Sequence, residues 1–440
     1  MFISLITSLL IFSFIFSYFQ VLFYYYIFGY ILLYILSKMH WSFFCFNFFI
    51  FYLDSLSVLL LFLTFLIIMF MYLMNYKFKD IFFMVIFSLL FFSLWVCFIS
   101  NSFIYFYIFF EFSLIPLVFL ILLKGGSMER FKASVYLLLY TLFGSLIFLL
   151  IFLLVFNSKD ISVMKYLNFN KVKNSLSVFL LLVFFIKMPL FSVHFWLPKA
   201  HVEAPVEGSM ILAAVLLKLG GFGLNRLFIL LNLMHLKNYI MVMMVISLLG
   251  SFFISLVCLR QVDIKLMIAY SSISHMGLLL GGLLSMNKMG LMSMISMMLG
   301  HGFCSSALFF MGGIFYTNFK TRNLLLFKGG VLSFSYLSGF WLIFSIINMG
   351  APPSMNFFSE LFLVISILSK NWLYFLVLML ILFMGVAYSL NLYMRVGHGL
   401  SWNGMFQKKE CFLDFFILLS HLLFLVIFLF KGSYFFIWMN

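Results

Sequence analysis

The chain has 440 residues, of which 66% are hydrophobic and only 8% charged, and its mean hydropathy is +1.24. A soluble domain carries roughly 25% charged residues, so this inventory cannot build a water-facing surface, and folding in water is excluded. The formal charge is +15, from 26 Lys plus Arg against 11 Asp plus Glu, yet the bases cluster between apolar runs and read as loop anchors at a membrane rather than as a nucleic-acid surface.

A helix needs roughly 20 apolar residues to cross the hydrocarbon. In chain order, spans fall near 2–18, 20–37, 53–74, 79–100, 102–123, 132–156, 175–195, 205–233, 238–258, 264–284, 290–315, 331–369, 372–394 and 411–431. The expected fold is therefore an all-α integral membrane protein of about fourteen transmembrane helices. No Lys or Arg precedes Lys38, so the first run lacks the basic n-region of a secretory signal and the Arg-rich character of a transit peptide. It reads as a retained span. As one helix, 331–369 would rise about 58 Å, so it must be broken, strongly tilted or two spans. Loop bases at Lys77 and Lys79, Lys124 to Lys132, Lys199, Arg260 to Lys265, Lys320 to Lys328, Arg395, Lys408 and Lys409 outnumber those at Lys38, Lys159 to Lys173, Lys237, Lys288, Lys370 and Lys431. The positive-inside rule then puts both termini on the outer, positive side of an energised membrane.

The chain has only six prolines. Pro189 and Pro198 follow Lys187 in KMPLFSVHFWLPKAH, and Pro352 and Pro353 precede Glu360 in GAPPSMNFFSE. Proline removes a backbone donor and breaks the helical ladder. Paired interruptions in two halves point to an inverted-repeat transporter, against the plainer alternative of ordinary kinks.

An ionised side chain at the bilayer centre costs about 2.5–3.5 kcal/mol on insertion scales. Such groups nevertheless recur mid-span: Glu111 in FFEFSLIP, Lys187 in FFIKMP, Lys218 in AAVLLKLGG, His275 in SSISHMG, His301 in MLGHGF and Glu360 in NFFSEL. An alternation of acid, base, base, His, His and acid suits a proton path across a bundle. The bland alternatives are static charge compensation for Glu111 and Lys187, and snorkelling of Lys218, with Arg226 two turns on. For the histidines they are interhelical hydrogen bonds, and for Glu360 compensation at a helix end. A pair about 6 Å apart at an effective dielectric near 20 interacts by about 3 kcal/mol. Moving one charge against roughly 180 mV takes about 4 kcal/mol. Opening and closing ion pairs is thus comparable to the work of pumping. Asp54, and Asp263 with Lys265, sit at span ends and read as caps or interfacial groups.

The five cysteines are scattered without a C-x-x-C pair, so no Fe–S, zinc or disulfide framework is legible. The Gly pairs at Gly125-Gly126, Gly220-Gly221 and Gly281-Gly282 form no P-loop or dinucleotide fingerprint.

FEFSLIP, KMPLFSVHFWLPKAHVEAPVEGSMILAAVLLKLGG, VCLRQVDIKLMIAYSSISHMG, HGFCSS and GAPPSMNFFSEL resemble the chain 4 family of antiporter-like membrane-arm subunits in mitochondrial NADH–ubiquinone oxidoreductase, respiratory complex I. The resemblance runs over about residues 50–400. It implies fourteen helices, with the N-terminal three over 1–78, two inverted five-helix repeats over 79–237 and 238–400, each holding a discontinuous helix, and the last helix over 401–440. It also implies a proton route through Glu111, Lys187, Lys218, His275, His301 and Glu360, and residence in the mitochondrial inner membrane. No cofactor or metal is expected on this chain; NADH, FMN, Fe–S clusters and ubiquinone belong to partner subunits. Expected partners are other membrane-arm subunits, including neighbouring antiporter-like ones, accessory subunits and lipids such as cardiolipin, with no nucleic acid. Two departures stand out: the family commonly has a small residue at Glu207, and proline just before Glu129 and Arg130. Rival readings are an autonomous antiporter or hydrogenase-complex subunit, and a scaffold whose buried charges only hold helices together. A channel lacks a recognisable pore motif.

Overall fold

Residues 54–74, 81–155, 174–230, 237–326, 328–399 and 412–430 are described by the computed structural model. The expected spans near 2–18 and 20–37, and the loop bases Lys38, Lys77, Lys79, Lys159 to Lys173, Lys408, Lys409 and Lys431, lie outside them. Among the described residues, ten helices are long and apolar enough to cross a membrane, and Ser177–Lys187, Ser335–Asn348 and Met355–Leu368 are shorter apolar helices. The chain is a multi-pass, all-α membrane protein.

In order, the helices are α1 (Ser55–Met74), α2 (Ile81–Ile99), α3 (Phe103–Phe112), α4 (Leu114–Lys124), α5 (Arg130–Val155), α6 (Asn174–Lys187), α7 (Trp196–Glu203) and α8 (Val206–Ile211). A π-helical turn, Leu212–Leu216, joins α8 to α9 (Leu217–Leu230); α10 (Lys237–Arg260), α11 (Ile264–Leu284) and α12 (Lys288–Phe319) follow. The last are α13 (Gly330–Ser333), α14 (Ser335–Asn348), α15 (Met355–Leu368), α16 (Tyr374–Gly397) and α17 (Phe412–Phe430).

Proline accounts for the main interruptions. Pro116 lacks an N–H and would clash with the carbonyl four residues earlier, and the expected span 102–123 indeed divides at Ser113, between α3 and α4. The expected span 175–195 stops as a helix at Lys187, two residues before Pro189, because the residue preceding proline is pushed out of the α region. Pro205 does the same to Ala204, which is extended (φ −63°, ψ 143°). The stretch 331–369 is broken, with α14 ending at Asn348 and α15 starting at Met355, past Pro352 and Pro353. Ser354 caps α15 by accepting a hydrogen bond from Phe357 N–H at 3.2 Å.

At 32 residues, α12 rises about 48 Å and forms the buried axis of the bundle. It packs against α11, α14, α15 and the α8–π–α9 segment. The outer helices α5 and α16 turn large side chains outward, among them Leu139, Phe143, Leu376 and Phe383, as lipid contact requires. Inside, serine hydroxyls donate to carbonyls of their own helix, as Ser271 does to Ile268 O and Ser306 to Phe303 O. In hydrocarbon no water is at hand to satisfy them.

Candidate functional site

Glu111 lies in the last turn of α3, just before the proline kink. Both carboxylate oxygens are buried, and neither has a hydrogen-bond partner among the described residues. Ser145 of α5 faces the carboxylate, but its hydroxyl donates to Leu142 O at 3.0 Å. Lys187 is the electrostatic neighbour of Glu111 but forms no salt bridge with it or with any other described residue, and its Nζ stands 3.7 Å from the centroid of the Phe110 ring. The ring's negative face offers a buried ammonium partial compensation. The two groups therefore interact electrostatically beyond salt-bridge distance.

Lys218 is completely buried and its surroundings depend on the π-helical turn. There the Leu217 N–H reaches back to Leu212 O, one residue further than in an α-helix, so Leu217 does not satisfy Ala213 O. Lys218 Nζ donates to that carbonyl at 2.5 Å and lies 3.1 Å from His301 Nδ1 on α12. A charged Lys218 donates to His301 Nδ1, so the facing ring nitrogen must be unprotonated.

From His301 the line continues to α11, where the ring of His275 lies 5.6 Å away, centroid to centroid. His275 Nδ1 is 3.5 Å from Glu360 Oε1 on α15, an ion-pair distance without hydrogen-bond geometry. Its Nε2 is 3.0 Å from the Tyr388 hydroxyl on α16, and Ser274 Oγ is 3.2 Å from the same hydroxyl. Glu360 fits because Gly350, at φ +71°, carries no side chain; a Cβ there would collide with Glu360 Oε2. A small cavity lined by Ser274, His275, Met349, Glu360, Gly385 and Tyr388 has room for about one water.

The sequence-expected residues thus form two groups. Lys218, His301, His275 and Glu360 make one connected line across four helical elements, while Glu111 and Lys187 make a separate pair. Among the described residues no hydrogen bond joins Lys187 to Lys218. Helix α9 itself packs against the end of α6, since a Cβ at Gly220 would stand 3.2 Å from Lys187 Cβ.

Of the span-end residues, Asp54 and Lys265 make anchoring contacts, whereas Asp263, at the N-cap position of α11, makes no side-chain cap hydrogen bond. Asp54 pairs with Arg226, which accounts for the arginine two turns beyond Lys218. Lys265 donates to Ala204 O at 2.6 Å and lies 3.4 Å from Val202 O, neutralising the C-terminal end of α7 as a cation at a helix C-terminus does. Glu203 accepts from Ser127 Oγ at 2.6 Å and faces Arg322 at 3.5 Å. Glu207, the departure noted above, lies 3.5 Å from Lys124 in the first turn of α8, where a carboxylate is favoured.

Several polar groups at the site were not singled out from sequence. Tyr388 sits in an apolar run, and its only signal is that a buried tyrosine hydroxyl needs a partner. His201 is fully buried on α7, has no partner for either ring nitrogen among the described residues, and stacks on Phe309 at 4.6 Å. It is an electrostatic neighbour of Lys218 and His301; a histidine beside a proline-broken segment was the available signal. Asn356 is also buried and unpartnered.

Comparison with known proteins agrees with this architecture. The family described as "NADH:quinone oxidoreductase/Mrp antiporter, TM" matches residues 100–385. NADH-ubiquinone oxidoreductase chain 4 of Ceratitis capitata is 44% identical over 335 residues, 75% of this chain and 74% of the relative. That of Rhipicephalus sanguineus is 39% identical over 397 residues, 89% of this chain and 90% of the relative. Among solved structures, a chain of respiratory complex I from Thermus thermophilus with bound NADH superposes with a TM-score of 0.80 at 24% identity, covering 87% of this chain and 83% of that one. A chain of the Mrp complex from Dietzia sp. DQ12-45-1b gives 0.72 at 18% identity, covering 82% of this chain and 68% of that one. The shared fold, the matched transmembrane region and the identity to these relatives place the chain in the NADH:quinone oxidoreductase/Mrp antiporter family, in its NADH-ubiquinone oxidoreductase chain 4 branch.

Proposed function

We propose that the chain is a proton-translocating membrane-arm subunit of respiratory complex I, moving protons through Glu111, Lys187, Lys218, His301, His275 and Glu360. The observation that supports this reading is the succession of neighbouring buried titratable side chains from Lys218 through His301 and His275 to Glu360. Each of these side chains can hold or release one proton, and each is buried where an idle charge would be costly. Glu111 and Lys187 act as a pair whose separation is tuned: held without direct contact, they trade stability as a proton reaches or leaves the carboxylate. Tyr388 and Ser274 orient His275.

In this reading the chain has fourteen helices in two inverted five-helix repeats over 79–237 and 238–400, flanked by 1–78 and 401–440. The breaks after Lys187 and before Ser354 serve as its discontinuous helices. The end bearing Lys124, Arg130, Lys199, Arg260 and Arg322 faces the inner, negative side of the mitochondrial inner membrane. NADH, FMN, Fe–S clusters and ubiquinone act in partner subunits, and the energy of electron transfer reaches this chain through neighbouring membrane-arm and accessory subunits, with cardiolipin among the surrounding lipids.

The reading is tested at the first pair. Glu111→Gln keeps the shape and removes the charge, so the complex should assemble at native abundance while proton translocation falls by about 10²-fold, the usual contribution of a proton-transferring side chain. Native gels measure the first and acidification of sealed vesicles the second; undiminished acidification would remove Glu111 from the route.

A further inference from the structure

Asn356 occupies a position that neither packing nor hydrogen bonding explains. It lies in the first turn of α15, one turn before Glu360, so the two side chains share a helix face. It is fully buried, yet among the described residues neither its Oδ1 nor its Nδ2 has a partner. Leaving both ends of an amide unsatisfied costs more than losing one hydrogen bond, and such groups in folded proteins usually hold ordered water. The amide is also pressed against α12 next to His301: a Cβ at Gly300 would collide with Asn356 Oδ1. Only a glycine at position 300 lets the amide come this close to α12, on the turn that carries His301.

We infer that Asn356 is a positioning residue that holds ordered water between His301 and Glu360, giving the proton route a second branch beside His275. This rests on the proton route read above. The amide accepts one hydrogen bond from water through Oδ1 and donates another through Nδ2, and gains or loses no proton itself. A protonated His301 passes its proton to the water oxygen as that water's own proton moves to the Glu360 carboxylate. The histidine ends neutral, the glutamate ends protonated, and the water and amide end unchanged.

The test uses the assembled complex. A density map of the native complex should show water within hydrogen-bond distance of the Asn356 amide, and a dry amide there overturns the inference whatever the variants do. Asn356→Leu removes an unsatisfied polar group, so assembly should persist while protons translocated per electron fall about tenfold. Asn356→Ser, which can still bond water, should recover most of that loss. A structural role would not give this recovery by a smaller polar side chain. Native translocation in Asn356→Leu overturns the second branch. Glu360→Gln in the same assay separates the two levels: if it too translocates normally, the route itself fails, whereas loss there with normal Asn356→Leu leaves the route standing and removes only the water.

Discussion

Lys218→Met is expected to stop proton translocation while leaving the assembled complex intact. Methionine has a similar length and no charge, so it spares the roughly 2.5–3.5 kcal/mol cost of a mid-membrane ammonium. Against that gain, Ala213 O and His301 Nδ1 lose their donor, at about 1–3 kcal/mol for each buried group left unpaired. These effects are of similar size and opposite sign, so abundance on native gels should change little. Transport differs, because Lys218 is the first member of the line that ends at Glu360, and among the described residues no other titratable side chain bonds His301 Nδ1. Loss of about 10²-fold or more in vesicle acidification is expected. If the buried charges were only scaffolding, the same substitution would change assembly and leave acidification per electron unaltered.

Gly350→Ala should lower translocation nearly as far as Glu360→Gln, although residue 350 carries no titratable group. Its backbone stands at φ +71°, where an L side chain costs roughly 1–2 kcal/mol, and its Cβ would occupy the place of Glu360 Oε2. The carboxylate would have to turn away from His275 Nδ1, from which it is 3.5 Å. Gly350→Asn separates strain from collision, since asparagine tolerates the left-handed region yet brings the same Cβ. Both substitutions should reduce acidification by about tenfold or more, with thermal stability of the complex falling further for Gly350→Ala. Native acidification in both would detach Glu360 from the geometry described.

The described helices were legible in sequence because a lipid-facing helix has little freedom in composition. The apolar runs from 53–74 onward all contain helix, and the proline breaks near Lys187 and Glu360 were visible as residue types. The mid-span positions of Lys218, His275, His301 and Glu360 could be read from cost alone, since an apolar chain keeps few charges without a use. What joins them could not. The π-helical turn at Leu212–Leu216 lies in ILAAVLLK, which reads as an ordinary helix, yet it supplies the carbonyl that Lys218 needs. The division of 102–123 at Ser113 follows from Pro116, whose ring meets the carbonyl of Phe112, four residues upstream. Lys265 looked like a local span-end group, but it caps α7, more than sixty residues away in sequence. Tyr388 and His201 gave only weak signals and Asn356 none, because it is tertiary packing that buries their polar atoms beside α11 and α12.

Whether these side chains exchange protons or merely carry charge is decided most directly at Lys187. Arginine at that position keeps the positive charge beside Glu111 and can still stack on Phe110, but it is not deprotonated in proteins. The measurement is the number of protons translocated per NADH oxidised by the complex in sealed vesicles, comparing Lys187→Arg with the native chain. The proton-relay account predicts an assembled complex with a clearly lower ratio. A native ratio with arginine in place would mean that fixed charge suffices, and would contradict it.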